Sequence, residues 1–100
     1  MNRKQKAVWI KDLLTTKVKQ GKGALSSKSG DCCLGRVNKV CKLGFPGEQG
    51  FLNTGMGIYR NRKYLFLPYQ VQNGLARLND AGVPFPVIAG FIDTYVEPTE

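Results

Sequence analysis

The side chains here that could do chemistry are lysines and arginines, three cysteines and a few carboxylates, because the 100 residues include no histidine. Without an imidazole, Ser-His and Cys-His nucleophile pairs are unavailable. Histidine-ligated zinc and haem sites are equally excluded. The acids are Asp12, Asp31, Glu48, Asp80, Asp93, Glu97 and Glu100. Asp93 and Glu97 have the four-residue spacing that puts two carboxylates on one helix face, beside Pro98. Acid/base work needs such a pair in a shaped, partly dry site, so at the chain's end it reads as a solvated helix terminus. The sequence predicts a protein that is not an enzyme, with no cofactor and no catalytic or metal-binding residue. Cys32, Cys33 and Cys41 lack C-x-x-C spacing, and three thiolates do not complete a tetrahedral zinc site. An odd count argues against a disulfide framework, which leaves the cysteines as small buried apolar residues.

Positive charge is the dominant chemical signal. Fifteen Lys and Arg face seven acids, for a net charge of +8 and an isoelectric point near 9.7. Residues 1–50 hold eleven of those cations and three acids, and residues 51–100 hold four of each. The candidate contact residues are Lys6, Lys11 and Lys17 on a first helix, and Arg36, Lys39 and Lys42, at three-residue spacing, on a second. A third group is the tip where Tyr59 and Tyr64 flank Arg60, Arg62 and Lys63. Lysines spread along a helix attract an acidic partner without regard to its sequence. Arginines between aromatics grip phosphates and stack bases, and Tyr and Arg also anchor protein interfaces. The expected partner is acidic: a protein surface, a nucleic acid or a small anionic nucleotide. Charge alone leaves all three open.

The elements that must position these groups follow from apolar periodicity. Val8, Ile10, Leu13, Leu14 and Val18 predict a helix over 5–20, with Trp9 at the core edge and Gly21 and Gly23 ending it. Residues 21–30 read as a flexible loop anchored by Leu25 alone. Asp31 is the expected N-cap of a helix over 32–43, with Cys33, Leu34, Val37, Val40 and Cys41 inward and Arg36, Lys39 and Lys42 outward. Residues 44–57 form a glycine-rich loop, either tied down by Phe45, Phe51, Leu52 and Met56 or mobile, and because no Gly-Lys-Ser/Thr follows it is a weak phosphate-loop candidate. Residues 58–67 suggest a short hairpin or strand. Pro68 opens a helix over 69–80 with Val71, Leu75 and Leu78 inward. Pro84 and Pro86 stand at the start of a last helix over 84–97, with Val87, Ile88, Phe91, Ile92 and Tyr95 as its stripe. The sum is one small α+β domain over 1–100, with about four helices and one short β-hairpin or strand. No apolar run reaches the roughly 18 residues of a membrane span. The basic N-terminus has no apolar stretch behind it, unlike a secretory signal. No membrane contact and a cytoplasmic location are expected. Phe45, Phe51 and Met56 offer a patch for self-association.

Two patterns bear on function. The stretch Leu75 to Ile92, L-x-x-L-x-x-x-G-x-x-x-x-x-I-A-x-x-I, resembles the first two helices of a helix-turn-helix, with Gly82 in the turn. A DNA reader needs Arg, Lys, Asn or Gln on an exposed recognition helix. Here the helix after the turn carries no Lys or Arg and bears Asp93 and Glu97, so an αα-hairpin that packs the core is expected. The second pattern is Gly21-Lys22-Gly23-Ala24-Leu25 leading to Cys32-Cys33-Leu34-Gly35, together with Leu78-Asn79-Asp80-x-Gly82-x-x-Phe85-x-x-Ile88-Ala89. In combination these segments resemble small accessory proteins of tailed bacteriophages, over most of the chain. The chain departs from that pattern where Arg36, Asn38 and Lys39 intervene before Cys41, and at Pro86. The resemblance implies phage origin and expression in the cytoplasm of an infected bacterium. It carries over no activity and no catalytic residue. The leading expectation is a non-enzymatic protein that binds and inhibits or redirects a host or antiviral-defence factor. The alternatives are a largely sequence-independent nucleic-acid binder and a sponge for an anionic nucleotide.

Overall fold

The computed structural model describes residues 1–52 and 66–98. The first helix, α1, spans Arg3–Thr15. It begins in a reciprocal cap: Gln5 N donates to Asn2 Oδ1 at 2.8 Å and Asn2 N donates to Gln5 Oε1 at 2.9 Å. It ends five residues before the sequence-based limit of 20 because two threonines offer the backbone other partners. Thr15 Oγ1 donates to the Lys11 carbonyl, and Thr16 Oγ1 accepts from Val18 N. The chain then runs extended past Gln20, which pairs as a parallel bridge with Asp31.

Residues 21–30 are not a free loop. Strands β1 (Ser26–Ser27) and β2 (Gly30–Asp31) pair antiparallel, Ser26 opposite Asp31 and Ser27 opposite Gly30. Leu25 is fully buried beneath them. Glycine makes this possible. Gly30 sits at φ 132°, in the region L side chains avoid, and a Cβ on Gly21 would lie 2.6 Å from the Gly30 carbonyl oxygen. The described hairpin therefore lies at 26–31, whereas the hairpin or strand expected at 58–67 falls almost wholly outside the described residues.

Helix α2 spans Cys33–Val40. Its N-cap is Cys32, whose sulfur accepts from Gly35 N at 3.4 Å, and Asp31 is turned to another task described below. Helix α3 covers Tyr69–Asp80, the predicted limits, and α4 covers Phe85–Tyr95. Gly82, at φ 90°, joins them in the expected αα-hairpin. Helix α1 packs on α4 and α2, and α2 packs on α3.

Trp9, Leu13, Leu25, Leu34, Val37, Leu52, Ile88 and Ile92 fill the centre. The Trp9 indole N–H donates to the Cys33 carbonyl at 2.9 Å, so Trp9 is core and not core edge. Asn79 is fully buried and ties three segments: its amide donates to Gly21 O at 2.8 Å, and its Oδ1 accepts from Gln20 Nε2 at 2.9 Å and Cys33 N at 3.1 Å. Gln72, also buried, accepts from Leu52 N and donates to Leu67 O.

Several residues expected inward lie at the surface. Leu14 is 56% exposed and Tyr95 71%, and Val8, Val18, Val87 and Phe91 are exposed as well. The inward line of α1 is Trp9 and Leu13, which leaves Val8 and Leu14 on its flanks, and Val18 lies past its end. The inward line of α4 is Phe85, Ile88, Ala89 and Ile92, so Val87, Phe91 and Tyr95 form an outer stripe, with the Phe91 and Tyr95 rings 5.9 Å apart.

Candidate functional site

The basic residues fall into two settings. Arg36, expected on the outer face of α2, is buried. Position 36 lies in the helix's first turns, where Cys33 to Val37 are all buried between neighbouring elements. Its guanidinium holds the Asp12 carboxylate of α1 through two bonds, Nε at 2.8 Å and Nη2 at 2.7 Å. Nη1 reaches Asp31 at 2.9 Å, and Lys39 Nζ holds the same Asp31 carboxylate at 2.9 and 3.0 Å. Burial pushes the Asp31 carboxyl up, but bonds from Lys39, Ser26 and Arg36 and the Lys39 charge outweigh it and hold it below the ordinary value. The Asp12 carboxylate raises the Arg36 guanidinium further above its already high value. Arg36 is thus a structural clamp between α1, β2 and α2, with only 10% of its side chain left exposed. Lys39 remains half exposed through its side chain, although its ammonium is engaged.

Lys11, Lys17 and Lys42 point to solvent. Lys6 is half-buried, and its ammonium donates to the Asp93 backbone carbonyl at 3.1 Å. Tyr59, Arg60, Arg62, Lys63 and Tyr64 lie outside the described residues.

The structure brings Lys6 and Lys11 to one open groove of about 690 Å³ between α1 and the end of α4. Ala7, Ile10 and Leu14 make its apolar wall, with Arg3, Lys6 and Lys11 around them. Asp93, Glu97 and Pro98 form the opposite side. Asp93 and Glu97 are exposed, as a solvated helix end should be, yet they also line this groove. Lys17, Lys39 and Lys42 are not part of it. The groove had a signal in the sequence: Arg3, Ala7, Ile10 and Leu14 recur at the spacing of one helix face, separate from the Trp9–Leu13 line.

The cysteines are all free thiols. Burial pushes the Cys32, Cys33 and Cys41 thiols up from their ordinary value, which disfavours the thiolate a nucleophile or metal ligand needs. Among the described residues, no cluster of Cys, Asp or Glu could hold a metal ion, and no helix is long and apolar enough to cross a membrane.

No family model, curated protein or solved structure matches the chain.

Proposed function

We propose that the chain is a non-enzymatic accessory protein of a tailed bacteriophage, which works in the cytoplasm of the infected bacterium by docking on an acidic host or defence protein and inhibiting or redirecting it. One observation carries the docking mode. The buried clamp takes Asp12 and Asp31 out of play together with Arg36 and Lys39. Residues 1–50 are left with nine other cations and one other acid, Glu48. The surface of α1 and its surroundings therefore projects a net positive field, which Asp93 and Glu97 offset only along one side of α1, suited to steering an acidic partner into place. The groove favours a protein partner over a phosphate backbone, because Asp93 and Glu97 stand on one wall and repel phosphate. The phage and host parts of the proposal rest on the resemblance of the CCLG and LND-x-G-x-x-F-x-x-IA segments.

The test is a tagged pull-down from bacterial lysate with and without nuclease, run in parallel with a Lys11→Glu, Lys17→Glu, Lys42→Glu variant. One protein retained at stoichiometric level after nuclease, and lost with the variant, is the expected result. Retention that vanishes with nuclease, with log affinity falling by about 0.9 per log unit of salt for each phosphate contacted, replaces this reading with nucleic-acid binding. A nucleotide co-purifying in native mass spectrometry replaces it with a sponge.

A further inference from the structure

The groove between α1 and the end of α4 has features that general electrostatic docking does not explain. Its apolar wall is periodic. Ala7, Ile10 and Leu14 follow Arg3 along one face of α1, and Leu14 keeps 56% of its surface in water although its side chain is wholly apolar. An exposed leucine alone means little, but a row of apolar residues inside a concavity marks a contact surface. Arg3 to Leu14 covers about three helical turns, close to 17 Å at 1.5 Å per residue, so the wall is elongated rather than round. Its charge is uneven across its width, with Lys11 on the α1 side, Asp93 and Glu97 on the α4 side, and the Lys6 ammonium reaching across to the Asp93 carbonyl.

We infer that this groove receives an amphipathic α-helix of the partner protein, with its apolar ridge against Ala7, Ile10 and Leu14 and its acidic flank toward Lys11. A helix suits an open groove of this length, since anchors at i, i+4, i+7 and i+11 complete one ridge over the same three turns. Charge complementarity fixes the occupant's orientation about its own axis. Acids face α1, and the flank toward Asp93 and Glu97 is neutral or basic. Lys11 makes no ion pair among the described residues and is the cation most free to meet that flank. A second copy of this chain is a poor occupant, because the one acid of α4, Asp93, lines the groove itself and is not on the exposed Val87, Phe91 and Tyr95 stripe that would have to meet Lys11.

The inference deepens the docking proposal and rests on it for the partner's class, but its test does not require the natural partner. The probe is a displayed library of 18-residue amphipathic helices, with the apolar ridge fixed in spacing and the charge of each flank randomised, selected against the intact chain. Selected helices are expected to carry Asp or Glu on one flank only. Leu14→Glu should weaken them at least tenfold, and Lys11→Glu should weaken them several-fold. In a repeat selection, Lys11→Glu should shift the preferred flank from acidic toward neutral or basic. Both positions are exposed, so unchanged thermal melts confirm that the variants remain folded. The assignment is overturned if no helix is enriched, if Leu14→Glu leaves binding intact, or if a sequence-scrambled peptide of equal charge binds as well. It is also overturned if sedimentation shows that the groove closes on a second copy. Failure of the lysate capture with helix binding intact removes the host-docking proposal alone. Intact capture that Leu14→Glu does not disturb removes the groove alone.

Discussion

Arg36 stands at i, i+3 and i+6 with Lys39 and Lys42, which on paper is the solvated stripe of a basic helix. Its true partner, Asp12, lies 24 positions earlier, and no local rule connects the two. Composition shows that the charge exists, and only the packing of α2 on α1 decides that this one is internal. Removing the guanidinium leaves the part-buried Asp12 carboxylate without its two-bond donor and the buried Asp31 carboxylate without one of its donors, Lys39 remaining on Asp31. Arg36→Ala is expected to cost about 3–5 kcal/mol in urea unfolding. Arg36→Lys should recover little, because one ammonium cannot reproduce the two-bond hold on Asp12. Asp31 sets a pH dependence. Its folded carboxyl titrates below the unfolded value of about 3.9, so its contribution is complete above that value and is lost as pH falls through the folded one. Urea midpoints measured from pH 6 down to 2.5 should fall below about pH 4, and Asp31→Asn should flatten that fall.

Among the elements, helices were the legible part. The 69–80 helix has the predicted limits, and the αα-hairpin follows from Gly82 and the apolar rows on each side. The hairpin at 26–31 was not legible. Serine and glycine have low strand propensity, and these strands exist because Gly21 and Gly30 allow backbones to meet that a methyl group would hold apart. The groove was half legible: its residues show helical spacing, but Leu14 reads as core until Trp9 and Leu13 are seen to occupy that line. Two glycines test how the elements are joined. A Cβ on Gly35 would lie 1.6 Å from the Leu25 carbonyl oxygen, so α2 would have to retreat from the hairpin. Gly35→Ala should destabilise by about 1–3 kcal/mol or more, lowering the melting temperature by at least roughly 4 °C. Gly74, on the exposed side of α3, has nothing among the described residues within 4 Å of its would-be Cβ. Gly74→Ala should stabilise by about 0.5–1 kcal/mol in the same melts.

For the molecule as a whole, the sequence shows the sign and the asymmetry of the charge but not its disposition. Two carboxylates of the basic half turn inward to Arg36 and Lys39, which sharpens the outward field without changing net charge. Association with an acidic protein partner should slow as salt rises from 50 to 500 mM, because the Debye length shrinks from about 14 to about 4 Å. The dissociation rate should change much less, since steering acts on encounter, and stopped-flow kinetics separate the two. Asn79 has a consequence for how the molecule comes into being. Its side chain fastens Gly21, Gln20 and Cys33, groups 46 to 59 positions earlier. During synthesis these three emerge from the ribosome well before the residue that joins them. Closing so long a loop costs entropy before any contact repays it. These three bonds therefore close only after α3 is made, later than the Arg36 and Asp12 contacts that residues 1–40 can form among themselves.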